Sequence, residues 1–223
     1  MFETIVAGSL FVITHLGLSS TPARPVLVAR IGVNGYRVAY SLLAFVTLGY
    51  LITVYNDALR LEYYWTIDPR LYWVPKILMA FALVFAMGAF MVRNPTSIGF
   101  EAAMTQPVKG MNRITRHPFQ WGVVMWAASH IVANGDKVSV AFFSTFLLLS
   151  LAGTFLMDRK LAAAGGGWER FAMQTSNIPF RAILQGRNTI AWGELLAPIV
   201  VGVIAYVALF WGHEWLSGAA IFW

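Results

Sequence analysis

The 223-residue chain contains no cysteine. Disulfides, thiolate metal centres and cysteine nucleophiles are therefore excluded, which leaves four histidines, nine methionines and ten carboxylates as potential metal ligands. Charge is also scarce. Charged residues make up 12% of the sequence, roughly half the share typical of a soluble domain. The glycine run Gly165-Gly166-Gly167 lacks the lysine and Ser/Thr of a phosphate-binding loop, so it reads as a helix breaker. The first segment starts Met-Phe-Glu, with no basic n-region and no small-residue cleavage site, and reads as a retained helix and not as a signal peptide.

What fills the sequence is apolar. Hydrophobic residues make up 58% of it, and charge-free stretches of 18–20 residues recur at Thr4–Ala23, Val38–Asn56, Pro118–Gly135, Val138–Met157 and Leu195–His213. That length matches a helix crossing the hydrocarbon core of a bilayer. Leu71–Val92 adds a sixth stretch, with Lys76 near one end where its stem can snorkel to the interface. The expected fold is all-α: a polytopic transmembrane bundle of about six spans, formed by residues 1–223 as a single domain. There is no internal repeat.

The cations are distributed unevenly. The segments between spans expected to be loops hold Arg24, Arg30 and Arg37 in the first, and Arg93, Lys109, Arg113 and Arg116 in the third. The fifth holds Arg159, Lys160, Arg170, Arg181 and Arg187, which brings these three loops to twelve of the sixteen basic residues. By the positive-inside rule the odd loops are cytoplasmic and both termini lie on the other side, as an even number of spans requires. The net charge of +6 thus points to an anionic membrane surface and not to nucleic acid. Arg113 and Arg116 mark the membrane edge, and Pro118 suits the first turn of the incoming helix. Short amphipathic segments on the membrane surface fit the third and fifth loops.

Two histidines fall well inside spans, His15 in the first and His130 in the fourth. Ionisable groups at such depth are costly to bury without a partner, which makes them candidate functional residues. His117 and His213 fall at span ends, where water or headgroups can satisfy them. His15 shares its helix face with Gly8, Phe11, Val12 and Ser19, and His130 with Gly122, Trp126, Ala127, Ala133 and Asn134. Small residues on these faces let a second helix or a flat ligand come close. Two readings stay open: histidines that hydrogen-bond between helices, or two imidazoles on separate helices that hold a haem iron. Zinc fits less well, because no carboxylate lies in these spans to complete its coordination. Taking the spans as read, the two histidines differ in depth by roughly 10 Å, which helix tilt would have to absorb.

Several motifs carry a family resemblance: Thr14-His15-Leu16-Gly17-Leu18-Ser19-Ser20-Thr21-Pro22, Ile114-Thr115-Arg116-His117-Pro118-Phe119-Gln120-Trp121-Gly122, His130 with Asn134-Gly135-Asp136, Asp158-Arg159, Trp168, and Thr175-Ser176-Asn177-Ile178-Pro179-Phe180. With these the chain resembles the NnrU family of bacterial membrane proteins over nearly its whole length. That family is associated with nitrite and nitric oxide reduction genes, and its domain also makes up plant 15-cis-zeta-carotene isomerase, a haem b membrane enzyme. The resemblance implies a multi-pass protein of the bacterial inner (cytoplasmic) membrane. It also implies haem b held by His15 and His130 and cis–trans isomerisation of a polyene by redox-active haem iron, one axial ligand leaving to open the iron. The cysteine three residues before the second histidine in the plant enzyme is Ala127 here, so ligand exchange with that thiol is not available. Trp126, Arg116 and His117 complete the candidate cofactor contacts, Trp126 by packing on the porphyrin. The expected partners are membrane lipid and a hydrophobic polyene.

Two other functions compete. One is a non-enzymatic haem protein: an electron carrier, a nitric oxide sensor or an accessory subunit of a denitrification or respiratory complex. The other is an S-adenosylmethionine-dependent membrane methyltransferase, since Arg116-His117-Pro118 with Trp168-Glu169 and Pro179 resembles the isoprenylcysteine carboxyl methyltransferase family. That family's usual tyrosine is Gln120 here, and its paired glutamates are reduced to Glu169.

Overall fold

The computed structural model describes residues 1–66, 68–97 and 99–221, and no β-strand occurs among them. The chain forms α1 (Phe2–Ser20), α2 (Ala23–Asp57), α3 (Trp73–Met91), α4 (Pro118–Asn134), α5 (Lys137–Ala164), α6 (Trp168–Gln174), α7 (Arg181–Leu184) and α8 (Trp192–Ser217). Among the described residues five helical segments are long and apolar enough to cross a membrane: α1, α2, Pro69–Met91 with α3 at its core, α5 and α8. The remaining stretch expected to span, α4, has 17 residues and measures about 26 Å at the helical rise.

Local chemistry sets the helix ends. Pro118 occupies the first turn of α4, where its missing N–H costs nothing. Gly135 ends that helix at φ 71°, and Asp136 then caps α5 by accepting from the Ser139 N–H at 2.8 Å. The tripeptide Asn134-Gly135-Asp136 is thus a helix stop followed by a helix start. All three glycines of Gly165–Gly167 have positive φ and break the chain between α5 and α6. The segment 24–37, expected to be a loop, is instead helical, since α2 begins at Ala23 and is interrupted only at Gly32 (φ 73°). Arginines keep a segment out of hydrocarbon but are good helix formers, so charge alone marked a membrane edge and not a helix end.

The long helices pack as neighbours in the order α2, α1, α5, α4, α3, α8. Glycines permit the closest crossings. A Cβ on Gly122 would meet the Ala82 carbonyl oxygen at 2.8 Å, and one on Gly202 would meet the Val84 Cα at 2.5 Å. Aromatic rings fill the middle: Phe11, Phe142 and Phe143 are buried, and Trp126 and Phe146 pack against them. Large apolar side chains such as Phe45, Phe90 and Leu148 face outward, as helices in lipid require.

The two ends of the bundle differ. At one end residues 62–65 lie over the α4–α5 corner. There the Tyr64 N–H donates to Gly135 O (2.9 Å), the Lys137 N–H donates to Glu62 O (2.9 Å), and the Trp65 indole N–H donates to Val132 O (3.2 Å). At the other end the basic segments interlock: the Arg116 N–H donates to Ser176 O (2.9 Å), the Phe180 N–H donates to Ile114 O (2.8 Å), and Arg113 pairs with Glu194 at 2.9 Å. The unequal distribution of cations in the sequence thus corresponds to two physical ends.

Candidate functional site

His130 lies four residues from the end of α4, at the end of the bundle remote from the basic segments. Its Nδ1 is 2.8 Å from the Trp126 carbonyl oxygen. A carbonyl only accepts, so Nδ1 carries the proton and Nε2 bears the free lone pair. The Asn134 amide donates to the His130 carbonyl oxygen at 2.7 Å and steadies the same turn. Around the imidazole lie Phe143 (ring centroids 4.9 Å apart), Trp126 (5.6 Å) and His213 (6.4 Å, ring planes 24° apart).

His213, on α8, is built in the same way. Its Nδ1 is 2.8 Å from the Ala219 carbonyl oxygen, which again assigns the proton to Nδ1 and the lone pair to Nε2. Protein groups therefore satisfy His213 at its span end, where the sequence suggested water or headgroups. Both histidines line a cavity of about 250 Å³ between α3, α4 and α8. Its apolar wall includes Met79, Leu83, Leu209 and Phe210; Tyr72, Lys76 and Asn134 bring polar atoms to it, and the non-helical residues Ala219–Ile221 close one side.

His15 lies elsewhere. It packs between Phe11 (5.1 Å) and Tyr40 (5.2 Å) on the α1–α2 side, in a narrow crevice with Thr14, Leu18, Leu43 and Ala44 that has no room for a water molecule. Its buried Nδ1 has no hydrogen-bond partner. Counted from the basic end, His15 is five residues from the end of α1 and His130 twelve from the start of α4, a difference of seven residues or about 10 Å. Phe11, Phe146 and Trp126 form a continuous ring path between the two histidines, which do not touch. Trp126 packs edge-on against Phe143 and Phe146, and its carbonyl holds His130. Ala127 is fully buried in the aromatic core.

Arg116 and His117 belong to a separate cluster at the basic end. His117 is fully buried, although the sequence placed it at a span end open to water, and its Nε2 is 2.7 Å from Asp158 Oδ1. Arg116 lies 3.8 Å from the other oxygen of Asp158 and 5.1 Å over the Trp168 ring. The Asn177 amide donates to Asp158 at 3.4 Å, a long bond. Burial pushes the His117 pKa below its usual value, against the opposing pull of Asp158. Protonation would leave a buried Nδ1–H without a partner, which favours the neutral ring. His117 and His130 are thirteen residues apart on one helix, so they serve different places.

Among the described residues no group of three or more His, Asp or Glu side chains is placed to hold a bare metal ion. Two imidazoles suit an ion that brings its own equatorial ligands, as a porphyrin iron does. On that chemistry His130 fits a haem: its tautomer is fixed by a backbone carbonyl and it lines a largely apolar cavity.

The model of the NnrU protein family matches residues 4–221. The 15-cis-zeta-carotene isomerase of Arabidopsis thaliana, a chloroplastic protein, is 28% identical over 226 aligned residues, covering 95% of this chain and 59% of the relative. The chloroplastic 15-cis-zeta-carotene isomerase of Zea mays is 38% identical over 80 residues, covering 35% of this chain and 22% of that protein. The chain thus spans about three fifths of the Arabidopsis relative. No solved structure matches.

Proposed function

The chain belongs to the NnrU family, and from that premise we propose that it is a haem b membrane protein that isomerises a cis double bond of a polyene. The observation that carries this reading is the similarity to a 15-cis-zeta-carotene isomerase over 95% of the chain. The cavity at His130 supports it, since its apolar wall suits a hydrocarbon and its imidazole suits an iron.

When bound, the haem would supply a redox-active iron able to lower the order of a double bond brought against it. The protein's own residues do the rest. His130 presents Nε2 because the Trp126 carbonyl holds the proton on Nδ1. Phe143 and Trp126 back the imidazole and limit its rotation. Met79, Leu83, Leu209 and Phe210 offer the chain of a polyene an apolar contact and exclude water. The family resemblance pairs His130 with His15, which lies across the aromatic core formed by Phe11, Phe146 and Trp126.

The same proposal takes α4 as the sixth span and places the basic end in the cytoplasm of a bacterial inner membrane, with both termini on the opposite side. Arg116 and His117 are taken up by Asp158 and Trp168 and serve the join between α4, α5 and α6.

The test is direct. Reduced, haem-loaded protein in liposomes is incubated with 15-cis-zeta-carotene and the isomers are separated by chromatography. Conversion of the central cis bond is expected for the wild type and not for His130→Ala. A wild type fully loaded with haem that leaves the substrate unchanged contradicts the isomerase reading.

A further inference from the structure

We propose that a second cavity, at the basic end of the bundle, binds the phosphate head of an anionic glycerolipid. Arg93 and Lys109 are its cationic partners, and Asn112 accepts from a head-group hydroxyl. The inference is independent of the haem reading and concerns residues that reading does not use.

Three observations carry it. The first is charge. The cavity, of about 210 Å³, lies between the end of α3, the segment 103–112 and α6. Arg93 and Lys109 line it, and among the described residues no carboxylate does. Both cations are exposed, and neither forms an ion pair among the described residues. Glu194 acts on Lys109 only at longer range, because Arg113 (2.9 and 3.2 Å) and the Gly110 N–H (2.6 Å) already hold its two oxygens. Two uncompensated cations on one small cavity make it attractive to an anion.

The second is an acceptor left over. Asn112 is 3% exposed and also lines the cavity. Its Nδ2 donates to the Arg93 carbonyl oxygen at 3.3 Å, which fixes the amide orientation, since a carbonyl only accepts. Oδ1 is then the buried acceptor, and it has no partner. Leaving it so is costly, and an occupant that carries an O–H as well as a negative charge suits this wall.

The third is depth. Val92 ends α3, so the cavity begins where the apolar run of a membrane-crossing segment stops. Phe90 on the last turn of α3 and Phe119 on the first turn of α4 are exposed and meet edge-on at 5.6 Å. Lipid head groups lie at such a boundary and acyl chains on its apolar side. At ~30 Å³ per water the cavity holds the equivalent of about seven waters, room for a phosphate with a short polyol. A phosphodiester with hydroxyls on its head, as in phosphatidylglycerol, meets all three conditions. A soluble glycerol phosphate offers the same chemistry without the chains.

The experiment titrates the full-length protein in neutral detergent with dioctanoyl phosphatidylglycerol, dioctanoyl phosphatidylcholine and glycerol 1-phosphate, by calorimetry. Phosphatidylglycerol should bind at one per chain, and the zwitterionic lipid should not. Arg93→Gln and Lys109→Gln should each weaken binding about fivefold. Both side chains are exposed, so thermal midpoints should match the wild type. Arg37→Gln, which removes a cation outside the cavity, should leave the affinity unchanged. Dioctanoyl phosphatidylmethanol, with the same charge and no head-group hydroxyl, should bind more weakly, and equal affinity would strike Asn112 from the site. Glycerol 1-phosphate binding as tightly as the lipid would keep the site and assign it to a soluble phosphate ester. Absent binding by the wild type, undiminished binding by the Arg93→Gln, Lys109→Gln double variant, or an equal loss in Arg37→Gln would overturn the proposal.

Discussion

A histidine is informative only together with the atoms on its two nitrogens. His15 and His130 were both visible in the sequence as imidazoles deep in apolar runs, and both sit within their helices as expected. The sequence could not show that His130 faces His213, because the two lie 83 positions apart and meet only when α3 brings α4 and α8 together. The available hint was the sequence His213-Glu214 at the end of an apolar run, but water was the simpler partner to assign there. His117 was likewise read as a surface group, and the 2.7 Å contact to Asp158 that buries it depends on where α5 ends. Two predictions belong at this scale. Asp158→Ala leaves the His117 imidazole buried without its partner and should cost about 1–3 kcal/mol of stability, read as a lower thermal midpoint in detergent. Because burial holds the folded pKa of His117 below its usual value of 6.5, the unfolded chain binds the extra proton first as pH falls. The stability that the neutral ring contributes is fully present above about pH 6.5 and is lost progressively below it, down to the folded pKa. Thermal midpoints should therefore fall between pH 7.5 and 5, and part of that slope should vanish in His117→Gln.

At the scale of the element, most helices were legible because apolar runs of membrane length leave little alternative. The stops were legible too: Gly135 in the left-handed region, Asp136 as a cap and the run Gly165–Gly167 act through local backbone chemistry that needs no tertiary context. The start of α2 was not, since Arg24, Arg30 and Arg37 mark where hydrocarbon ends without ending the helix. The glycines of α4 and α8 fit the small-residue logic of membrane helix packing, and the structure gives each a partner. Gly122 lies against Ala82 of α3, and Gly202 against Val84. Gly122→Leu and Gly202→Leu should each force α3 away from a neighbour, at roughly 1–3 kcal/mol apiece. Both crossings set the spacing of α3 against α4 and α8, the helices that line the cavity at His130 with it, so both variants should also bind less of the proposed haem than the wild type, measured as Soret absorbance per mole of protein. An unchanged midpoint and full haem content would show that these crossings are not tight in the membrane.

For the whole molecule, the excess of Lys and Arg in three segments of the sequence emerges as one basic end, while the paired residues 62–65 and 135–137 form the other. The absence of cysteine makes the orientation easy to test. Single cysteines at Glu62 and at Arg181, probed in intact bacterial cells with a membrane-impermeant maleimide, should label only at Glu62. The reverse pattern would invert the proposed topology. The cavity lies near the Glu62 end, with the chain's aromatic core between it and His15. The proposed haem is tested most directly by the visible spectrum of the wild-type protein purified from cells supplied with haem precursor, oxidised and then reduced. A Soret band with resolved ferrous bands at a haem-to-protein ratio near one is the predicted result. A colourless, folded protein that stays colourless after incubation with haem b would contradict it.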